Sequence, residues 1–179
     1  MGTAALQQIA LHDQWLMRRV ERWRAPRWIR RWMLLASRAG DGVLWYAAGV
    51  LILLQGGPER WSVFGAAAMA AGLAIASFEG LKHGFRRGRP CVSWACGAAP
   101  PKAPDRYSFP SGHTLTAFAI AMPLMHAYPR IEPLLLFCAV NIAISRILLG
   151  LHFLTDVLAG SALGCGVGYL ASTWLLHLR

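Results

Sequence analysis

Negatively charged side chains are scarce in this chain of 179 residues, which has 8 Asp and Glu against 18 Lys and Arg and a formal net charge of +10. In a soluble protein, such an excess of cations would suggest a nucleic-acid partner. The sequence lacks an RNA-binding motif and a basic–aromatic sheet pattern, so we expect no nucleic-acid partner. The cations stand at the ends of apolar runs, where anionic lipid headgroups are the expected partner.

Other absences narrow the class of protein further. Tandem repeats, low-complexity tracts and the features of a signal peptide are missing. The four cysteines fit no common zinc pattern, and we expect neither a metal ion nor a cofactor. Cys138 and Cys165 lie in apolar runs and are interpreted as small core residues. Cys91 and Cys96 share one loop and could form a disulfide in an oxidising space.

Apolar sequence is abundant: 56% of the residues are hydrophobic and the mean hydropathy is +0.41. Each long apolar run approaches the roughly 20 residues that a helix needs to cross a bilayer. Because lipid forces backbone polar groups to be satisfied within helices, the sequence predicts an all-α polytopic membrane bundle. The five predicted transmembrane helices are residues 40–57, 61–81, 113–128, 132–151 and 153–177.

An N-terminal segment at residues 1–38 is predicted to be separate from a membrane-embedded core at 39–179. Residues 4–24 place apolar side chains at mostly helical spacing and end in arginines, which is typical of an amphipathic helix in the membrane interface. A helix packed against the bundle would show the same pattern, so both arrangements stay open. Tryptophans suited to headgroup depth are Trp15, Trp23, Trp28 and Trp32.

The first polar cluster, Lys82 to Pro90, has the sequence KHGFRRGRP and follows an apolar run. If the helix continues through it, Lys82, Arg86 and Arg89 fall on one face, while Arg87 points elsewhere. Like charges on one face repel one another unless an anion lies before them, and arginine suits phosphate. The alternative is a basic collar whose side chains reach from a helix end to the membrane surface.

The second cluster, SFPSGHT from Ser108 to Thr114, precedes a predicted transmembrane helix. It places Ser111 and the backbone N–H groups of Gly112 and His113 at a helix N-terminus, which is a ready anion site. His113 can also give or take a proton near neutral pH. The alternative is an ordinary serine N-cap with an incidental histidine.

The third cluster, SRILLGLHFLTD from Ser145 to Asp156, includes a charge within an apolar run. An unpaired Arg146 there costs roughly 2.5 kcal/mol or more, so a functional role is the default hypothesis. His152 and Asp156 stand four residues apart and would share a helix face. The carboxylate could then fix one ring nitrogen and leave the other as a nucleophile or base. An ion pair between Asp156 and Arg146 is the alternative, but it leaves His152 unexplained.

The three clusters are predicted to share one side of the membrane, because the helices at 113–128 and 132–151 form a hairpin. Together they supply cations, two histidines, one carboxylate and a helix N-terminus. The histidines lack the further ligands of a metal site. This combination indicates metal-free phosphoryl transfer through a phosphohistidine.

In these motifs the sequence resembles the type 2 phosphatidic acid phosphatases, a family of lipid phosphate phosphatases whose motifs the vanadium haloperoxidases share. The family pattern K-x6-RP, PSGH and SR-x5-H-x3-D is present in order and with its internal spacing between residues 82 and 156. The resemblance implies a helical bundle with its site at the membrane surface. It implies a lipid phosphate or pyrophosphate as substrate: a polyprenyl phosphate carrier, phosphatidic acid or phosphatidylglycerol phosphate. Many relatives have three spans before the first motif, whereas this sequence predicts two.

The resemblance also implies a role for each motif residue. His152 would attack phosphorus, Asp156 would orient it, and His113 would protonate the leaving oxygen. Arg86 lies outside the family motifs and is added as a possible accessory cation. The expected ligands of the phosphate oxygens are Lys82, Arg89, Ser111, Gly112 and Arg146. The predicted spans disfavour a soluble haloperoxidase, and the intact motifs disfavour an inactive protein of the same fold that only binds lipid headgroups.

The distribution of cations predicts which membrane face holds the site. On the predicted topology, only Arg60, Arg130 and Arg179 lie on the side away from it. The positive-inside rule therefore predicts a cytoplasmic site in the inner cell membrane, with Cys91 and Cys96 reduced, although the family commonly works on the outer face. If residues 4–16 cross the bilayer, the N-terminal arginines change sides and this bias shrinks.

Overall fold

The computed structural model describes residues 2–23, 25–90 and 106–177, and most of this part of the chain is helical. One isolated β-bridge pairs Gly88 with Tyr107. Apart from this bridge, the described residues form no β-strand. The all-α prediction is confirmed. Cys91 and Cys96 lie outside the described residues. The helices are α1 Gly2–Trp23, α2 Arg27–Arg38, α3 Leu44–Gln55, α4 Arg60–Phe85, α5 Gly112–Ala127, α6 Glu132–Leu148 and α7 Leu154–His177.

Helix α5 lies at the centre of the bundle, where it packs against α4, α6 and, most extensively, α7. Glycines four residues apart on α7 allow this close approach. A Cβ at Gly160 would lie 2.8 Å from the carbonyl oxygen of Ser111, and one at Gly164 would lie 2.4 Å from that of Leu115. Small residues at this spacing let helix backbones meet directly in a membrane. The start of α5 is therefore held against the start of α7.

Three helices in the described part of the chain are long and apolar enough to cross a membrane: Arg60–Phe85, Pro129–Leu148 and Leu154–Trp174. Helices α3 and α5 coincide with two further predicted spans but have only 12 and 16 residues. The helical membrane fold is confirmed, whereas the count of five spans stays a prediction.

The N-terminal helices α1 and α2 both contact the end of the bundle where α6 stops and α7 starts. The backbone N–H of Thr155 donates to Asp13 in α1 at 3.2 Å, and Met33 of α2 packs with Leu149. Helix α2 continues into α3 through a π-helical turn, Ala39–Val43. Helix α1 therefore packs at the level of the helix ends, whereas α2 also packs along α6, where Trp32 donates to Asn141 at 2.8 Å. Their place in the membrane interface stays a prediction.

Candidate active site

The three polar clusters meet at one end of the bundle, because each lies where a helix begins or ends. Lys82 and Arg146 are in the last turns of α4 and α6, and α5 begins directly after Ser111. Asp156 is in the first turn of α7, where its backbone carbonyl accepts the N–H of Ser111 at 3.0 Å. The structure therefore brings the clusters to one shared side, as the hairpin argument predicted.

The imidazole of His152 presents a nitrogen lone pair to a cation. Its side chain is 1% exposed, and Nδ1 lies 2.7 Å from the backbone carbonyl oxygen of Ser108. Because a carbonyl oxygen only accepts, Nδ1 holds the proton and Nε2 keeps its lone pair. Arg89 Nη1 lies 3.0 Å from Nε2 and also donates to the carbonyl oxygen of Leu151 at 2.8 Å. This neutral tautomer is the one that a nucleophile toward phosphorus requires.

Burial keeps His152 in its neutral form. It lowers the pKa of His152 to about 4, against the negative charge of nearby Asp156, which raises it. The positive charges of Arg146 and Arg89 lower this pKa further. His152 is therefore unprotonated on Nε2 throughout the physiological pH range.

Asp156 lies behind His152, but farther from the ring than a direct hydrogen bond would place it. Its Oδ2 is 3.6 Å from Nδ1 of His152, so the short bond of that nitrogen goes to Ser108 instead. Oδ2 accepts the N–H of Phe153 at 2.9 Å, and Oδ1 accepts from Arg87 at 2.8 Å. Asp156 thus caps the first turn of α7 and holds its negative charge near the ring.

The stripe of cations, which was predicted on condition that α4 continues through the first cluster, does not form, because α4 ends between Lys82 and Arg86. The last helical residue is Phe85, and Arg86 adopts a left-handed conformation with φ of 48°. Arg86 is exposed and its Nε donates to the carbonyl oxygen of His83 at 3.1 Å, so its accessory role stays a prediction. Arg87, which would point away from the site in a continuous helix, contacts Asp156 instead. The sequence analysis missed this contact.

His113, the expected general acid, pairs with a carboxylate that the sequence analysis also missed. Its Nε2 lies 2.6 Å from Oδ1 of Asp41, in the π-helical turn between α2 and α3. The side chain of His113 is 17% exposed and that of Asp41 is 58% exposed, so a bound molecule can reach the pair. A carboxylate at this distance stabilises the imidazolium form that a general acid needs. The sequence signal that could have revealed Asp41 is its place between two glycines at the start of a predicted transmembrane helix.

Two buried cations lie within electrostatic reach of the histidines. Arg146 donates through Nη1 to Oγ of Ser37 in α2 at 2.6 Å, and its charge acts on both His113 and His152. Lys82 is also buried, and its charge acts on His113. These positions suit the binding of an anion between the two histidines.

The start of α5 supplies backbone donors to the same place. Ser111 is fully buried, with Oγ 2.9 Å from Oγ1 of Thr114, and the first N–H groups of a helix have no partner within it. Gly112 packs under the ring of Phe78, where a Cβ would lie 3.2 Å from a ring carbon. Any larger residue at this position would push the ring away from the helix start.

A cavity of about 880 Å³ opens beside these groups, between α3, α4 and α5. Lys82, Gly112 and His113 lie along its wall, together with Asp41. Its volume is in the range of about 300–1,000 Å³ that small-molecule sites occupy. The cavity therefore gives a bulky apolar group access to His113. Its apolar and aromatic lining residues include Trp45, Tyr46, Ala71, Ile75, Phe78 and Ile120.

Comparisons with known proteins identify the family of the chain. Residues 61–179 match the PAP2 superfamily. The chain is 33% identical over 115 residues to a decaprenylphosphoryl-5-phosphoribose phosphatase of Mycobacterium tuberculosis, covering 64% of this chain and 61% of that protein. It is 34% identical over 65 residues to a lipid A 1-phosphatase of Rhizobium johnstonii, covering 36% of this chain and 27% of that protein.

The fold is also similar to that of a solved structure. A transmembrane PAP2 type phosphatidylglycerolphosphate phosphatase from Bacillus subtilis matches with a TM-score of 0.74 and 23% identity, over 99% of this chain and 90% of that one. At that identity the likeness shows the fold alone. The chain spans less than two thirds of the length of the two curated relatives described above. The superfamily match covers the segment from α4 to the end of the chain, which includes all three polar clusters, and so the chain belongs to the PAP2 superfamily.

Proposed function

We propose that this protein is an integral membrane lipid phosphate phosphatase that works through a phosphohistidine on His152. The observation that supports it most is the buried imidazole of His152, whose Nδ1 faces a carbonyl oxygen and whose Nε2 lies 3.0 Å from Arg89. Nucleophilic attack on phosphorus requires a nitrogen lone pair beside a cation that can bind the phosphate, and Nε2 and Arg89 provide this pair. Membership of a superfamily that includes lipid phosphatases supports the same activity.

In the first half-reaction, Nε2 of His152 forms a bond to phosphorus while the bond from phosphorus to the lipid oxygen breaks. His113 gives its proton to that oxygen, and the leaving group is the lipid alcohol or, for a pyrophosphate, the lipid monophosphate. The phosphorylated ring is positively charged, and Asp156 and the carbonyl of Ser108 stabilise it through Nδ1–H. In the second half-reaction, water attacks phosphorus and gives a proton to His113. The electron pair of the P–N bond returns to Nε2, and inorganic phosphate leaves.

The phosphoryl oxygens are held by the surrounding cations and by the N-terminus of α5. Charge on the transferring group is spread over its oxygens in the transition state, so positioned donors stabilise it. This step uses no metal ion, because cations of the chain itself take that place. The proposed ligands are Lys82, Arg89, Ser111, Gly112 and Arg146, of which Gly112 contributes its backbone N–H at the helix start and Ser111 its hydroxyl.

The proposed substrates are lipids with a terminal phosphate or pyrophosphate. Among them we favour polyprenyl-linked substrates over phosphatidic acid and phosphatidylglycerol phosphate. The similarity to a phosphatase named for a decaprenylphosphoryl phosphoribose supports this choice, and the aromatic and aliphatic cavity beside His113 suits an apolar chain.

We place the protein in the inner cell membrane, with the site on the cytoplasmic face and anionic lipids around α1 and α2. Exposed Trp23, Trp28 and Trp32 accompany Arg27 and Arg31 on this segment, which suits the headgroup region. The two helices also pack at the end of the bundle that holds the site. The excess of cations on that side supports a cytoplasmic orientation.

A phosphate-release panel tests the function. The purified protein in detergent is given polyprenyl pyrophosphate, a polyprenyl-linked sugar phosphate, phosphatidic acid and phosphatidylglycerol phosphate. We expect release from at least one of them, and its complete loss in His152→Ala with the fold retained. Binding of these lipids without any release by the wild type would support the alternative, an inactive protein that only binds headgroups.

A further inference from the structure

Asp13 is a buried carboxylate on the N-terminal helix α1, far in sequence from the catalytic motifs. Its exposed fraction is 1%, although neighbouring positions of α1 are exposed. A carboxylate is rarely buried to this degree unless charged or hydrogen-bonding partners stabilise it. The partners of Asp13 therefore indicate which part of the bundle α1 stabilises.

All the described partners of Asp13 belong to the residues around the nucleophile. Its Oδ2 accepts from Nη2 of Arg87 at 2.7 Å and from the hydroxyl of Thr155. Its Oδ1 accepts the backbone N–H of Thr155 at 3.2 Å, which is one of the N–H groups at the start of α7 that lack a partner within the helix. Asp13 thus caps α7 from another helix and binds Arg87 at the same time.

Arg87 joins Asp13 to the carboxylate behind the nucleophile. Its Nη1 donates to Oδ1 of Asp156 at 2.8 Å and to the hydroxyl of Thr155 at 2.7 Å, while Nη2 is bound to Asp13. The guanidinium plane lies over the ring of Phe153, with Cζ 4.2 Å from the ring centroid. The guanidinium is held by hydrogen bonds from both terminal nitrogens and by the aromatic ring on one face, so it has little freedom to rotate.

We propose that Asp13 is a positioning residue for catalysis, which sets the place and charge of Asp156 through Arg87 and thereby supports the phosphorylated form of His152. This proposal depends on the function proposed above. The negative charge of Asp13 offsets the positive charge of Arg87. Asp156, 3.6 Å from the ring of His152, can therefore still stabilise positive charge on that ring. Without Asp13, Arg87 would neutralise Asp156 more completely and the first turn of α7 would lose a cap.

The experiment is a double-mutant cycle on the full-length protein in detergent, with Asp13→Asn, Arg87→Gln and the double variant. We expect Asp13→Asn to lower kcat about tenfold with KM within about twofold, which is the lower end of the roughly 10- to 100-fold loss that follows removal of an outer-shell partner of a metal-bound histidine. In the Arg87→Gln background the same change should cost less than about twofold. Glu21→Gln removes a negative charge from the same helix and is expected to leave kcat unchanged.

Equal losses from Asp13→Asn in both backgrounds would overturn the proposal, because Asp13 would then only anchor α1. If Asp13→Asn does not fold, Asp13→Glu moves the charge by one methylene, and its loss of kcat must likewise disappear in Arg87→Gln. A second readout needs no turnover: the ring-nitrogen NMR shifts of His152 should move in Asp13→Asn but not when Arg87 is already Gln. A wild type that releases no phosphate would refute the proposed function, while these shifts would still decide the role of Asp13.

Discussion

The assignment of His113 as the general acid can be tested by changing the leaving group. A lipid alkoxide is a poor leaving group and needs a proton as it departs, whereas an aryl phosphate such as p-nitrophenyl phosphate leaves without one. His113→Ala should therefore slow phosphorylation of His152 by lipid phosphates about 10²- to 10⁴-fold, the usual contribution of a general acid. With the aryl phosphate, formation of the phosphohistidine should be nearly unaffected.

The magnitude expected for Asp41 follows from its contact with His113. A hydrogen bond to a charged group contributes about 1.5–3 kcal/mol. Because the side chain of Asp41 is 58% exposed, we reduce this to about 1 kcal/mol. At about 1.4 kcal/mol per tenfold change, Asp41→Asn should slow lipid phosphate hydrolysis about fivefold. The same variant should leave phosphorylation by the aryl phosphate unchanged.

The assay is a rapid-quench experiment that follows p-nitrophenol and acid-labile phosphoprotein in the first turnover. Wild type and His113→Ala should both release one equivalent of p-nitrophenol, but the phosphohistidine should accumulate only in the variant, which lacks a base for the attacking water. His152→Ala is the control and should show no release. If His113→Ala loses the first turnover with aryl and lipid phosphates alike, His113 binds phosphate rather than transferring a proton, and the assignment is refuted.

Four further outcomes are expected. Because burial lowers the pKa of His152 to about 4, an NMR titration of ring-labelled histidine should find this residue neutral from about pH 5 to 8, and protonation near pH 6.5 would contradict the buried geometry. Activity should persist in excess EDTA, and a loss reversed by magnesium would show that a metal does the work assigned to the cations. Gly164→Ala should destabilise the protein by about 1–3 kcal/mol in thermal unfolding, because its Cβ would lie 2.4 Å from the carbonyl oxygen of Leu115, whereas Gly166→Ala, which faces open space, should not. Cys91 should resist a membrane-impermeant thiol reagent in intact cells, and its labelling, or a disulfide with Cys96, would place the site on the outer face.

The sequence predicted the helices that hold the site more reliably than the contacts between them. Each motif lies at the end of an apolar run, and in a membrane protein such ends are where polar groups meet water. His113, Arg146 and His152 could thus be assigned to one side from the hairpin alone. The close approach of α5 and α7 depends on Gly160 and Gly164 facing a particular backbone, which the spacing of glycines suggests but does not determine.

The end of α4, on which the predicted stripe of cations depended, was left open by the sequence because its termination lacks the usual signal. A helix often ends with glycine in the left-handed conformation, and here the nearest downstream glycine is Gly88. The residue that takes this conformation is Arg86, at some cost in steric strain. A helix that continued beyond Phe85 would point Arg87 away from the site, whereas in the structure Arg87 contacts Asp156. The partners of Asp13 and Asp41 were also missed, because they come from segments distant in sequence and follow no local spacing.

The structure gives different partners to Arg87 and Arg89 of the first cluster. Arg87 and Arg89 lie two residues apart in an irregular segment, so similar cations reach different groups. Arg87 is held by two carboxylates and an aromatic ring, and a guanidinium so engaged positions its neighbours rather than binding phosphate. Arg89 instead contacts Nε2 of His152, where the new bond to phosphorus would form. Loss of Arg89 should therefore weaken binding of the phosphate itself, whereas loss of Arg87 should act on kcat through Asp156.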